Sequence, residues 1–356
     1  VGKLQVIVGG QFGSEAKGAV AAHLARTEEK HVMAIRIGGP NAGHTAYDEQ
    51  GQRHALRQLP VAAVVPHRSI SEPILAIGAG SEVDMDVLAA EIREVQAIRD
   101  PWLVIDSQAT ILNNAHAEQE EHDRLRDRIG STSKGIGAAR AARLMRTAHL
   151  FDRDTEVGAP PEYKMADGVN VAHYAIQHML AGGTVQIEGT QGFGLGLHAG
   201  YYPFCTSGDC RAVDFLAQAG LSPWHPAVTE FEVWIVYRPF PIRVAGNSGP
   251  LLGETTWAAL GLPEERTTVT NKVRRVGAWD EKLAQQAMIA NGGTTPAVHL
   301  ALTMFDHVAP DVIGTTDERD LLPQDFMTLR QYERPLGRAF ELIGTGPQTM
   351  IDRRGE

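Results

Sequence analysis

The segment Gly9-Gly10-Gln11-Phe12-Gly13-Ser14-Glu15-Ala16-Lys17-Gly18 follows the apolar run Leu4 to Val8 and opens a helix-like stretch, Glu15 to Glu29. Backbone N–H groups in such a loop, aided by the helix dipole, hold phosphate oxygens. Lys17 adds a point charge suited to β- and γ-phosphates. The loop departs from G-x-x-x-x-G-K-[ST], because Gly18 rather than a hydroxyl residue follows Lys17, and this disfavours an ordinary signalling GTPase. A second loop, Ile37-Gly38-Gly39-Pro40-Asn41-Ala42-Gly43-His44-Thr45, sets His44 on Gly-rich backbone. An imidazole held there can donate to a transferring phosphoryl group. Arg274 carries a planar guanidinium, the group best shaped to grip a carboxylate through two hydrogen bonds.

Elements must bring these residues together. Short apolar runs at Leu4 to Val8, Trp102 to Ile105, Val185 to Ile187, Val233 to Val236 and Val298 to Leu302 read as buried strands. Several lead into Gly-rich loops and then helix-like segments. This alternation predicts an α/β fold, a mostly parallel, doubly wound central sheet with helices on both faces and ligands at the strand carboxyl ends. No linker or repeat divides the chain, so one domain with loop insertions is expected over residues 1–356. The mixed-charge stretch Ala115 to Arg128 reads as a solvated helix face.

Composition narrows the classes. Of 356 residues, 43% are hydrophobic and 21% charged, enough to bury a sizeable core. A formal net charge of −10 argues against a general nucleic-acid surface, though a few Lys and Arg focused in one cleft still bind phosphate. Cys205 and Cys210 are too few for a four-ligand zinc site, and no secretory signal precedes them. Reduced thiols and a soluble, cytoplasmic protein are expected. No apolar run approaches the ~18 residues of a membrane span.

Taken in chain order, nine segments resemble the signatures of the adenylosuccinate synthetase family. The first two loops resemble that family's QWGDEGKGK and GGHNAGHT. Ser131-Thr132-Ser133-Lys134-Gly135-Ile136-Gly137 is similar to TTGRGIG, a monophosphate-binding loop, and Arg146 falls at the spacing of an arginine that reaches this phosphate from the neighbouring subunit. Glu188-Gly189-Thr190-Gln191-Gly192 resembles EGAQG, whose glutamine contacts the purine. Tyr202-Pro203-Phe204-Cys205-Thr206-Ser207 resembles YPFVTS, whose threonine binds the same phosphate. Arg243-Val244-Ala245-Gly246 resembles RVGAG near the ribose, and Thr270-Asn271-Lys272-Val273-Arg274-Arg275-Val276-Gly277 the aspartate loop TGRxRRxG. Ala301-Leu302-Thr303-Met304-Phe305-Asp306 resembles the base-recognition strand ALTKLD, and Gly344-Thr345-Gly346-Pro347 resembles STGP.

The resemblance implies a ligase with the adenylosuccinate synthetase fold, acting as a homodimer with Arg146 crossing the interface. Its catalytic residues would be Ser14, Lys17 and His44. The triphosphate would lie against Gly13, Ser14, Glu15, Ala16, Lys17, Gly18, Gly43, His44, Thr45, Met304, Asp306, Gly344, Thr345 and Gly346. The monophosphate would take Ser14, Asn41, Ser131, Thr132, Arg146, Gln191, Thr206 and Val244. Aspartate would take Thr268, Val269, Thr270, Lys272 and Arg274, and Mg²⁺ would take Ser14 and the Gly43 carbonyl.

Four departures bear on substrate choice. Ser14 stands where the family has an aspartate that takes the N1 proton of hypoxanthine and ligates magnesium. A serine hydroxyl is a poor base and a weak metal ligand, but it leaves room for the 2-amino group of guanine. In this the chain looks like the phage branch of the family, which makes N6-succino-2-amino-2′-deoxyadenylate from dGMP. What removes the N1 proton stays open between Glu15, a water and a substrate group. Met304 replaces a lysine while Asp306 remains, pointing to ATP or dATP rather than GTP as donor. Lys272 replaces the first arginine of the aspartate loop, which fits a deoxyribose substrate. Leu195-Gly196-Leu197-His198 replaces LDID, so no role passes to His198. Two alternatives remain: an ordinary synthetase acting on IMP with GTP, and a phosphate-loop switch that hydrolyses GTP without a second substrate.

Overall fold

The structure is a computed structural model that describes residues 2–69, 71–152, 165–267 and 271–355. Its centre is a ten-stranded sheet. Across it the strands run Met350–Asp352, Leu342–Gly344, Val298–Leu302, Val228–Tyr237, Gly2–Gly9, Thr184–Glu188, Val32–Arg36, Ile74–Ile77, Trp102–Asp106 and Met165–Val169. All neighbours pair in parallel except Leu342–Gly344 with Met350–Asp352, which is antiparallel.

The sequence dictates this arrangement. Strands in a parallel sheet are covered on both faces and read as continuous apolar runs, as Val6 to Val8, Val32 to Ile35 and Ile74–Ile77 do. Alternate side chains then feed two separate cores. Leu4, Val6 and Val8 point into one layer with the helices Val171–Leu180, Ala212–Ala219, Glu281–Ala290 and Pro323–Leu336. Ile7 points into the other, with Lys17–Thr27 and Met85–Gln96. The expected helices on both faces are present.

Two sequence expectations need correction. The first helix is Lys17–Thr27, because Ser14 and Ala16 adopt left-handed backbone and delay its start. The stretch Ala115 to Arg128 is two helices, Asn114–His122 and Leu125–Ile129, broken at Arg124. It is not wholly solvated: Glu120 is buried, and its carboxylate accepts the N–H groups of Gly135 (2.9 Å) and Gly137 (2.7 Å). No helix among the described residues is long and apolar enough to cross a membrane.

Candidate active site

Six adjacent strands, from Leu342–Gly344 across to Val32–Arg36, discharge their carboxyl ends on one side of the sheet. Each of the motifs that the sequence singled out on strand ends sits there. The resulting cleft has a volume of about 1010 Å³, the size expected for bound small molecules.

The phosphate loop is held open by its own acid. Gly10 is packed so tightly against the Tyr237 ring that a Cβ would lie 2.2 Å from a ring carbon. Gly13, Ser14 and Ala16 all have positive φ (83°, 60° and 55°), a conformation that costs the two non-glycine residues strain. Glu15 offsets it. Its fully buried carboxylate accepts from Gln11 N–H (3.1 Å), Gly13 N–H (2.7 Å) and the Lys17 ammonium (2.8 Å). Lys17 also donates to the Gln191 carbonyl at 2.5 Å. Ser14 is exposed to the cleft, and its carbonyl accepts from Arg238 at 3.1 Å. The N–H groups from Ser14 through Gly18 have no acceptor among the described residues, which leaves a row of donors for an anion.

His44 is set by two charged residues that end buried strands. Its Nδ1 lies 2.9 Å from Glu188 Oε2, and Arg36 Nη1 approaches Nδ1 to 2.5 Å and Nε2 to 3.0 Å. Arg36 also donates to the Ala42 carbonyl (2.6 Å), fixing the loop, while Glu188 Oε1 accepts from Val61 N–H (2.7 Å). Burial, then Arg36 and Lys17, holds the imidazole well below its ordinary pKa. Burial pushes Glu188 up to about 7, against the pull of Arg36. A guanidinium this close requires a lone pair on the ring, so His44 is neutral in this state.

Most of the sequence-derived residues meet in the cleft. Gly13, Ala16, Lys17, Gly18, Gly43, Thr45, Met304, Asp306, Gly344 and Gly346 line it with Ser14 and His44. So do Asn41, Ser131, Thr132, Gln191, Thr206 and Val244, and beyond them Lys272 and Arg274. Arg274 has its Nη1 3.9 Å from Glu265, and its Nε is without a hydrogen-bond partner among the described residues. Thr268, Val269 and Thr270 lie outside the described residues.

Two placements depart from expectation. Glu15 does not line the cleft, and its carboxylate is committed to three donors as a brace of the loop. Thr345 is fully buried and turns away, its hydroxyl donating to the Thr315 carbonyl at 2.6 Å. Arg146, which the sequence assigns to a neighbouring subunit's site, is exposed on left-handed backbone, bonds to the Leu144 carbonyl (2.7 Å) and does not line the cleft of its own chain. His198 stands outside the cleft, 80% exposed at its side chain and held by Asp209. Cys205 and Cys210 are free thiols.

Sequence reasoning missed Arg36, Glu188, Arg238 and Glu265. Arg238 is fully buried and joins the Ser14 carbonyl to Glu265, whose two oxygens it engages. A signal for the first two existed: VMAIR and TVQIE each end an apolar strand on a charge just before a Gly-rich loop.

Strand-end loops that present free amides, a lysine and a histidine to one cleft define a nucleotide-binding α/β enzyme. The chain belongs to the adenylosuccinate synthetase family, whose sequence profile matches residues 6–157 and 160–311. It is 35% identical over 356 residues to the adenylosuccinate synthetase of Pyrococcus sp. strain ST700, covering 98% of each chain. It is 33% identical over 347 residues to that of Methanococcus aeolicus, covering 96% of each. Among solved structures it resembles the cyanophage S-2L succinoaminodeoxyadenylate synthetase bound to dGMP and dATP as an energy donor. There the TM-score is 0.79 with 27% identity, over 99% of this chain and 96% of that one. Fully ligated adenylosuccinate synthetase from Plasmodium falciparum shares the fold, with a TM-score of 0.78 and 19% identity over 98% and 99%. The protein is therefore a nucleotide-binding ligase of purine biosynthesis that forms a C–N bond.

Proposed function

We propose that the enzyme joins L-aspartate to C6 of dGMP, giving N6-succino-2-amino-2′-deoxyadenylate, with ATP or dATP as phosphoryl donor. One observation carries the reading: an exposed serine, Ser14, faces the cleft where the family motif has its aspartate. The likeness to a phage enzyme solved with dGMP and dATP supports it.

The chemistry takes two steps. The γ-phosphoryl group moves to O6 of the purine, breaking its bond to the β-phosphate oxygen. The aspartate amine then attacks C6, and inorganic phosphate leaves with O6. Catalysis is positioning and charge neutralisation. The free amides from Ser14 through Gly18 and the Lys17 ammonium hold the transferring group. Asn41, Ser131, Thr132 and Thr206 hold the 5′-phosphate, with Arg146 of a second subunit, and Arg274 grips an aspartate carboxylate. His44 is neutral beside Arg36 and Lys17; a bound triphosphate offsets those charges, raises the ring's proton affinity and lets it donate to the phosphoryl oxygen. With Glu15 engaged, a water or a substrate group accepts the N1 proton.

Among the described residues no three His, Cys, Asp or Glu cluster to form a metal site. The hard, neutral oxygens of Ser14 and the Gly43 carbonyl fit Mg²⁺ carried mainly by nucleotide phosphates, and these two residues would hold it. When bound, the ion neutralises phosphate charge.

A second reading, IMP with GTP, is favoured by relatives at 33–35% identity that are named adenylosuccinate synthetases. Phosphate release measured with aspartate, crossing IMP, GMP and dGMP against GTP, ATP and dATP, separates the two. dGMP should exceed IMP in kcat/KM; equal or better use of IMP establishes the second reading.

A further inference from the structure

We propose that Arg140 is a positioning residue for the 5′-phosphate of the purine monophosphate, which it reaches through one bound water from a recess behind the cleft wall. This rests on the assignment of Asn41 and Thr206 to that phosphate made above.

Arg140 lies on the helix Ile136–Met145 with its side chain 22% exposed. Glu82, itself buried, takes two of its three nitrogens: Nε at 2.6 Å and Nη2 at 3.3 Å. The fork is thereby locked. Nη1 makes no hydrogen bond among the described residues. It is aimed at Gly208, where a Cβ would stand 2.2 Å from it, so any larger residue would push the guanidinium away. The space it faces is a recess lined by Asn41, Gln191, Thr206 and Gly208, with room for about one water. Asn41, Gln191 and Thr206 also line the main cleft, so the recess opens at the monophosphate end.

Charge at this point is directed. Asp209 also borders the recess, but its carboxylate is engaged by His198 N–H (3.0 Å), Ala199 N–H (3.2 Å) and the His198 ring (2.5 Å). Glu82 is saturated by the other edge of the guanidinium. The Nη1 hydrogens are left as the donors that a phosphate-bound water would satisfy, and water-mediated bonds of this kind are nearly as good as direct ones.

Arg140→Met alone would strand the buried Glu82 carboxylate and endanger folding. The Glu82→Gln/Arg140→Met double variant removes both charges together. Calorimetric titration of wild type and double variant with dGMP, deoxyguanosine, ATP and L-aspartate tests the inference. The variant should bind dGMP roughly tenfold more weakly, a change of about 1.4 kcal/mol. Its affinities for deoxyguanosine, which lacks the phosphate, and for ATP should be unchanged. The ³¹P resonance of bound dGMP should titrate at higher pH in the variant, since a nearby cation has been lost. A dGMP affinity within twofold of wild type, or an equal loss for deoxyguanosine, overturns the role of Arg140. A wild-type enzyme that binds no purine monophosphate overturns the proposed function instead.

Discussion

Ser14 is exposed while the acid beside it, Glu15, is fully buried, and under the proposed function that contrast concentrates substrate choice in one side chain. Under the proposed acceptor, Ser14→Asp adds a carboxylate against the 2-amino edge of guanine. It should lower kcat/KM for dGMP selectively and improve the ratio for IMP; unchanged relative rates would remove Ser14 from specificity. Met304 bears on the donor in the same way. A buried acceptor left unpaired costs roughly 1–3 kcal/mol, so a guanine-built pocket discriminates strongly. Met304→Lys should shift the preference towards GTP by about tenfold, measured as the kcat/KM ratio of GTP to ATP. A wild-type enzyme strictly dependent on GTP would refute this. Glu188 gives a pH signature. The unfolded chain releases that proton near 4.5, whereas burial holds it in the folded protein to about 7. The stability it contributes is thus full below 4.5 and is lost as pH rises through about 7. Glu188→Gln stays neutral throughout. The melting temperature of the variant minus that of wild type should therefore climb between pH 4.5 and 7 and level off above; a flat difference would contradict the raised pKa.

At the scale of elements, the first strand, the phosphate loop and its helix are one braced unit. Glu15 ties the loop amides to Lys17, Arg238 ties the Ser14 carbonyl to Glu265, and the Thr303 hydroxyl donates to the Glu15 carbonyl at 2.8 Å. Glu15→Ala would leave a buried ammonium with the Gln191 carbonyl alone. Breaking such a buried pair costs roughly 3–5 kcal/mol. Chemical denaturation should show that loss in the absence of nucleotide and a partial recovery with saturating ATP, whose phosphates replace the carboxylate. Full stability without nucleotide would show the brace to be unimportant. The tie from Arg238 through Glu265 reaches towards Arg274, so the phosphate loop and the aspartate segment share one ion network.

For the whole molecule, the placement of Arg146 is decisive. It is exposed, outside the cleft of its own chain, and the resemblance assigns it to a neighbour's monophosphate. A symmetric dimer with composite sites follows as a proposal. Arg146→Ala should raise the KM for the monophosphate with less effect on the triphosphate. Mixing Arg146→Ala with an inactive Lys17→Ala protein should restore activity, because hybrid dimers contain one site with both residues. No recovery, or a fully active monomer by sedimentation, would exclude shared sites.

The phosphate loop, the NAGHT segment and the five apolar strands from Leu4 to Leu302 were legible in the sequence, because parallel strands buried on both faces leave continuous apolar runs and phosphate loops need glycine at fixed steps. The strands Val32–Arg36 and Ile74–Ile77 were not singled out, although their apolar runs are about as long as those of Trp102–Asp106 and Thr184–Glu188. What the linear order could not contain was the charge network. Glu188 stands 144 residues from His44, Arg238 is 224 from Ser14, and Arg140 is 58 from Glu82. Nothing in local propensity marks such pairs. Their partners are chosen by the strand order of the sheet, which sets chain segments distant in sequence side by side at its carboxyl edge. The sequence by itself therefore determined the class of chemistry and the loops that bind phosphate. Only the tertiary structure decided that the Glu15 carboxylate is buried and braces the loop, that Thr345 turns inward, and that His44 rests neutral between Arg36 and Glu188. Those outcomes depend on burial and on distances between charges, and both exist only once the sheet has closed.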